Sequence, residues 1–141
     1  MTGTIPVKEG DIINLGNSPL KIIDIPGHTP GSIAILDMNN RILVSGDSVQ
    51  DGNIFMFGAF RDISRYIASL RHLAEFEEQY DDIYPMHGSF PVHSDLIGKL
   101  IGGALDIVEG KASSIPVSVL GQDARLYKFE FAGFLCDPKE E

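Results

Sequence analysis

The sequence predicts one layered α+β domain, in which sheets and helices pack as a sandwich, rather than a helical bundle or an all-β barrel. Three observations favour this class. Strand-like patterns occupy both ends of the chain, and two helix-like patterns lie between them. The length of 141 residues suits a single domain, and a hydrophobic content of 43% is enough for a core. No internal repeat or linker divides the chain.

Residues 1–60 carry strand and hairpin patterns. The stretch TIPVKEGDIINLG alternates apolar and polar residues around EGD, which predicts two short strands or a hairpin. The β-branched run in PLKIIDIPG ends at proline and glycine, as a strand that enters a loop does. SIAILDMNNRILVSGD predicts two strands joined at Asn39–Asn40, because asparagine tolerates the left-handed conformation of a tight turn.

Residues 61–80 and 94–110 show helical spacing of their apolar side chains. The first helix is expected to be capped by Asp62. The second is expected to begin at Ser94 or Asp95 and to end at a glycine. Three internal glycines cost this helix about 1 kcal/mol each relative to alanine. Their presence favours close packing of the helix against a sheet.

The remaining segments complete the domain with strands. Residues 81–93 contain DDIYPMHG, a short buried strand that runs into a histidine-bearing loop. Residues 111–141 contain IPVSVLGQDARLYKFEFAGFLCD, whose alternation predicts a hairpin or strand pair.

Charge and composition exclude several classes of partner. The formal net charge is −9 and no cluster of lysine and arginine interrupts it, which argues against nucleic acid and anionic membrane surfaces as partners. No apolar run is long enough to span a bilayer, and MTGTIPVKEGD lacks the pattern of a secretory signal. The single cysteine, Cys136, excludes an internal disulfide framework and fits a reducing compartment. We therefore expect a cytoplasmic protein.

Three loops share one design, in which a strand ends, the chain turns at a glycine, and a side chain able to bind a metal lies next to that glycine. They are PGHTPG with His28, VSGDS with Asp47 and YPMHGS with His87. Two imidazoles and a carboxylate suit zinc, with iron or manganese as alternatives. Taken singly, each residue has a structural interpretation: a turn histidine, a turn-capping aspartate or a loop hydrogen bond. Their recurrence at three strand ends favours a metal site.

These motifs resemble the second half of a metallo-β-lactamase-fold hydrolase. GHTPGS, then ILVSGD after a hairpin, a helix with ASLRHL, and YPMHG carry the resemblance, which runs from VKEGDIINLG to ARLYKFEFAGFLCD. It implies half of an αββα sandwich, with a mostly antiparallel sheet and two main helices packed on one face. It also implies that His28 ligates one metal, that His87 ligates a second, and that Asp47 bridges both and orients the attacking hydroxide. Met86 departs from the resemblance, because the family usually has glycine there.

The family's histidine-rich loop, His-x-His-x-Asp-His, is absent from this sequence. The other histidines, His72 and His93, are expected on a solvated helix face and in a helix-entry loop. Each metal would then have two protein ligands, whereas a catalytic zinc takes three. We expect weak or absent metal binding and no hydrolysis by the chain alone. A bare inner sheet face further predicts a homodimer or a complex with a separately supplied N-terminal half.

The leading functional hypothesis is a fragment of a metal-dependent hydrolase. By the resemblance, metal-bound hydroxide would attack an ester, thioester, lactam or phosphodiester in a small-molecule substrate. One alternative is a non-catalytic binding or assembly module built on a degenerate half fold. Another is a redox enzyme of the same fold with iron in place of zinc. Four apolar residues are expected either in the core or in the wall of the substrate pocket: Phe55, Met56, Phe57 and Phe60.

Overall fold

Two β-sheets and two α-helices make up the fold in the computed structural model, which describes residues 3–138. The layered α+β class predicted from the sequence is confirmed. A short 3-10 helix, Glu77–Gln79, follows the first α-helix. In chain order the elements are β1 (Ile12–Asn14), β2 (Pro19–Asp24), β3 (Ile33–Asp37), β4 (Ile42–Gly46), β5 (Asn53–Met56), α1 (Ile63–Ala74), β6 (Asp82–Pro85), β7 (Val92–His93), α2 (Leu96–Val108), β8 (Ile115–Val119), β9 (Gln122–Lys128) and β10 (Gly133–Cys136).

The first sheet has the strand order β1-β2-β3-β4-β6-β7. All its neighbouring strands are antiparallel except β4 and β6, which are parallel and are connected through β5 and α1. The β3–β4 hairpin lies where the sequence predicted it. Its left-handed residue is Arg41, at φ 56°, rather than an asparagine. Asn40 instead donates its main-chain N–H to the carboxylate of Asp37 at 3.2 Å.

The prediction of a self-contained hairpin over TIPVKEGDIINLG is wrong. Only β1 forms a strand there, and it pairs with β2 rather than with the residues before it. Two residues of the predicted EGD turn also bond to β2: the Gly10 N–H donates to the Ile22 carbonyl, and the Ile22 N–H donates to the Asp11 carbonyl, each at 2.9 Å. Pairing with an existing sheet satisfies more backbone groups than an isolated two-stranded hairpin does.

Both helices lie within the predicted segments but are shorter. Helix α1 starts after Asp62, whose carboxylate accepts the Arg65 N–H at 3.0 Å, as predicted for the cap. Helix α2 starts after Asp95, which makes no side-chain capping bond. Close packing at Gly103 involves aromatic rings, because an added Cβ there would lie 3.0 Å from the Phe131 side chain.

The helices and the first sheet share one core. Ile23, Leu36 and Leu43 are fully buried and belong to the same apolar cluster as Leu70 of α1 and Leu100 of α2. On the opposite sheet face, register pairs join a second apolar row. Its members are partly exposed, and Val44 reaches 36% exposure: Ile35, Val44 and Tyr84.

The C-terminal segment contributes three strands rather than the predicted pair. The second sheet has the order β5-β10-β9-β8, with β8–β9 and β9–β10 antiparallel and β5–β10 parallel. Phe134 of β10 is fully buried and meets Tyr66 edge to face. This contact connects the second sheet to α1. Within residues 3–138, no helix combines the length and apolarity that a bilayer crossing requires.

Candidate functional site

Three strands of the first sheet deliver His28, Asp47 and His87 to one edge. Strands β2 and β4 are each antiparallel to β3, and β6 is parallel to β4, so β2, β4 and β6 run in the same direction. The three side chains come from the loops that follow these strands. The ends of β4 and β6 are joined directly, because the Met86 N–H donates to the Gly46 carbonyl at 3.0 Å. The topology therefore gathers residues that are distant in sequence.

The His28 loop is held tightly against α1. Gly27 has a φ of 140°, and a Cβ there would lie 2.5 Å from the main chain of Tyr66, so this position requires glycine. The His28 Nδ1 lies 3.0 Å from the carbonyl oxygen of Phe55. Because a carbonyl can only accept, Nδ1 carries the proton and donates. The Nε2 of the neutral imidazole is then left with a lone pair facing Asp47, which is the tautomer that a metal ligand needs.

The Asp47 loop is braced by three hydrogen bonds to its main chain. Ser45 Oγ donates to the Val49 carbonyl at 2.9 Å, and the buried phenol of Tyr66 donates to the Ser48 carbonyl at 2.5 Å. The side-chain amide of Gln50 donates to the Asp47 carbonyl itself at 3.2 Å. The loop is therefore fixed from below, while the Asp47 side chain remains 39% exposed toward the edge.

The His87 loop rests on a second carboxylate. Asp51 accepts the Ser89 N–H at 2.8 Å. Hydrogen bonds from the Ser89 hydroxyl and main chain hold the pKa of Asp51 below its usual range. Gly88, which lies between His87 and Ser89, has a φ of 82°, and a Cβ there would collide with the Asp51 carboxylate. His87 itself is 69% exposed, so its position depends on the loop rather than on packing.

The three side chains meet at the carboxylate. His28 Nε2 lies 3.6 Å from Asp47 Oδ2, and His87 Nε2 lies 3.1 Å from Asp47 Oδ1. The Oδ1 atom is buried and has no hydrogen-bond partner in the described chain, so its contact with His87 lacks hydrogen-bond geometry. A buried carboxylate oxygen without a donor fits a nearby cation.

The chemistry of these donors fits a metal ion, but their number does not complete a site. Each imidazole approaches a different oxygen of Asp47. Across residues 3–138, no three His, Cys, Asp or Glu side chains are placed to hold one ion together. A catalytic zinc takes three protein ligands and one water. The described residues therefore provide two partial ligand pairs that share one carboxylate.

A cavity of about 380 Å³ opens beside this cluster. Most of its other lining side chains could not be predicted, because nothing in their local pattern marks them. Of the four apolar residues expected in the core or in the pocket wall, Phe55 lines the cavity, Met56 and Phe57 lie in apolar clusters, and Phe60 is 78% exposed. Besides the three predicted residues, the lining consists of Gln50, Gly52, Asn53, Phe55, Arg61 and Gly88.

The two remaining histidines lie elsewhere. His72 projects from α1 between two carboxylates, with Nε2 2.8 Å from Glu9 and Nδ1 3.3 Å from Glu75. His93 is 70% exposed and contacts Asp95 at 3.2 Å. Neither lines the cavity beside Asp47.

Comparison with known proteins identifies a family signature over most of the chain. Residues 3–112 match the sequence family described as the metallo-beta-lactamase superfamily. The chain is 35% identical over 86 residues to the acyl-coenzyme A thioesterase MBLAC2 of Bos taurus, a stretch that covers 60% of this chain and 31% of that protein. The human protein of the same name matches with the same identity and coverage. The chain thus spans about a third of the length of these relatives.

Solved structures with low identity support the fold. A metallo-beta-lactamase family protein from Thermus thermophilus superposes with a TM-score of 0.65 at 19% identity, over 77% of this chain and 38% of that one. A metallo-beta-lactamase from Pontibacter korlensis gives a TM-score of 0.61 at 18% identity, over 71% of this chain and 47% of the other.

Proposed function

The chain belongs to the metallo-beta-lactamase superfamily, and from that premise we propose that it carries part of the active site of a metal-dependent hydrolase that cleaves thioesters. One observation carries the proposal: His28, Asp47 and His87 converge beside a cavity at a single sheet edge. The choice of thioester over ester, lactam or phosphodiester is supported by the similarity to the acyl-coenzyme A thioesterase MBLAC2.

Zinc is the metal we propose, because imidazole nitrogen and carboxylate oxygen are among its usual ligands. His28 and Asp47 would help to hold one ion, and His87 and Asp47 a second. When bound, such an ion supplies an activated water and positive charge near the carbonyl oxygen of the substrate. The protonated Nδ1 of His28, fixed by the Phe55 carbonyl, keeps the opposite nitrogen available for that role.

The cavity residues would orient the acyl group. Phe55 offers an apolar wall, and Gln50 and Asn53, whose carboxamides carry N–H donors, line the same space. The Gln50 amide already donates to the Asp47 carbonyl, so its position relative to the ligand cluster is fixed. A donor held in place before the reaction stabilises developing charge at a carbonyl oxygen without the cost of reorganisation.

The missing ligands would come from a polypeptide segment outside residues 3–138. Two observations support the proposal. The described residues supply too few ligands, and the apolar row of Ile35, Val44 and Tyr84 is partly exposed on the sheet face away from the helices. An N-terminal half of the fold would cover that row and complete both metal positions. Light scattering of the purified chain, alone and mixed with such a half, tests this. A lone chain that is monomeric and binds two zinc ions per molecule would contradict it.

Activity is tested with acyl-coenzyme A and a thiol-reactive dye, using the chain loaded with zinc, with and without the completing half. The His87→Ala variant should lose at least tenfold in kcat/KM, on the scale of a lost metal-positioning group. His93→Ala is the matched control, because the two side chains are 69% and 70% exposed. Equal activities of the two variants would count against His87 as a ligand. No thioester hydrolysis with both metal and partner present would favour the non-catalytic assembly module.

A further inference from the structure

Arg61 lies between two cavities. It lines the 380 Å³ cavity beside His28, and it also lines a second cavity of about 190 Å³. The second cavity is bordered by Phe60 and by Arg65, which belongs to the first turn of α1. The same side chain therefore borders both the space beside Asp47 and the space beside the start of α1.

The guanidinium of Arg61 has unused hydrogen-bonding capacity. Its Nη1 donates to the His28 carbonyl at 2.6 Å, which fixes the group in place. Its Nε is buried and has no partner within residues 3–138, and no Asp or Glu there forms an ion pair with it. This is notable in a chain with 20 acidic residues. A guanidinium carries five N–H donors. One is used by the His28 carbonyl and the Nε–H is buried, so the other N–H groups of the two terminal nitrogens remain for a ligand.

The second cavity has a net positive lining. Arg65 Nε lies 3.7 Å from the Asp62 carboxylate, and both side chains are about half exposed or more. Arg61 and Arg65 together outweigh that single carboxylate. Phe60 is 78% exposed, so its ring offers an apolar surface beside the two cations. Planar guanidinium groups recognise phosphate by paired hydrogen bonds, and an exposed aromatic ring can stack on a base.

We propose that the Arg61–Arg65 cavity binds the phosphate groups of a coenzyme A leaving group. The inference rests on the proposed thioesterase function, and it assigns a second subsite to the same substrate. The thioester lies in the cavity beside Asp47, and the phosphate-bearing part passes Arg61. Arg61 is therefore a specificity residue for the thiol portion, whereas Phe55 and Gln50 face the acyl portion.

Direct binding tests the proposal without requiring turnover. Calorimetry compares coenzyme A with pantetheine, which lacks the phosphates, on the wild-type chain and on Arg61→Gln. The variant should bind coenzyme A about tenfold more weakly, the scale of a lost charged hydrogen bond, and should bind pantetheine as before. Arg61→Lys should recover part of the loss. Arg71→Gln, which changes an exposed arginine of α1 outside both cavities, should bind both compounds like the wild type.

Each contrary result has a distinct meaning. Equal loss of coenzyme A and pantetheine binding in Arg61→Gln would reduce Arg61 to a support for the His28 loop and overturn the subsite. Unchanged coenzyme A binding, or none by the wild type, would overturn it as well. Selective loss of coenzyme A binding, together with no acyl-coenzyme A hydrolysis by the zinc-loaded chain and its completing half, would keep the subsite and reject the proposed function. Hydrolysis of acyl-coenzyme A with a KM that Arg61→Gln leaves unchanged would support the proposed function and overturn the subsite.

Discussion

Replacing Tyr66 by phenylalanine removes one hydroxyl group from beneath the Asp47 loop. The phenol is 1% exposed and donates to the Ser48 carbonyl at 2.5 Å, and burial raises the pKa of Tyr66, so it remains a neutral donor. The ring keeps its edge-to-face contact with Phe134, so little packing is lost. A buried carbonyl deprived of its donor costs about 1–3 kcal/mol. At this chain length, the melting temperature should fall by roughly 4–12 °C.

Hydrogen exchange of residues 45–50 then separates a local effect from a global one. Tyr80→Phe is the control, because its hydroxyl is equally buried and donates to the Leu73 carbonyl at 2.8 Å, far from the loop. Tyr80→Phe should lose less stability, because the Leu73 carbonyl also accepts the Phe76 N–H at 3.0 Å. Only Tyr66→Phe should speed exchange of the Ser48 amide, which bonds the Ser45 carbonyl. Identical loop exchange in the two variants would refute the view that Tyr66 braces the Asp47 loop.

Three further predictions concern the surrounding loops and helix ends. Gly27→Ala should lower the free energy of unfolding by roughly 3–5 kcal/mol, because the methyl group would overlap the α1 main chain, while Gly31→Ala, which meets open space, should melt like the wild type. In urea titrations, Asp62→Ala should cost about 1 kcal/mol through the lost cap, and Asp95→Ala, with no capping bond to lose, should cost much less; equal costs would contradict the assignment. The lowered pKa of Asp51 means that its contribution to stability is complete above the unfolded value of 3.8 and is lost as the pH falls through the folded value. Asp51→Asn should therefore flatten the acid limb of a stability–pH curve, and an unchanged limb would show that other carboxylates account for it.

Local patterns predicted the elements whose contacts are local. The β3–β4 hairpin follows from two β-branched runs around a short polar turn, and its strands are adjacent in sequence. The segment TIPVKEGDIINLG shows the limit of that reasoning, because its alternation fits two strands or a hairpin, whereas only β1 forms there and its partner is β2. The parallel pairing of β5 with β10 could not be predicted from local patterns either, since it depends on how distant segments pack.

The same distinction between local and long-range contacts applies to the candidate site. The convergence of His28, Asp47 and His87 could be predicted because each follows a strand and adjoins a glycine in a recognisable motif. Arg61 could not, since its isolation from carboxylates depends on where α1 docks against the His28 loop. The support from Phe55 comes from a main-chain carbonyl, which any residue type could provide.

The parallel β4–β6 pair also has a kinetic consequence. The two strands meet only after β5 and α1 have closed a long crossover, so the edge that gathers His28, Asp47 and His87 belongs to the high-contact-order part of the chain. An ion or substrate held there would bind the finished fold and not the unfolded ensemble. By mass action, a bound ion or substrate would then slow the net unfolding of the chain. Core substitutions far from this edge would lower the apparent affinity for that ion or substrate, because they deplete the native population.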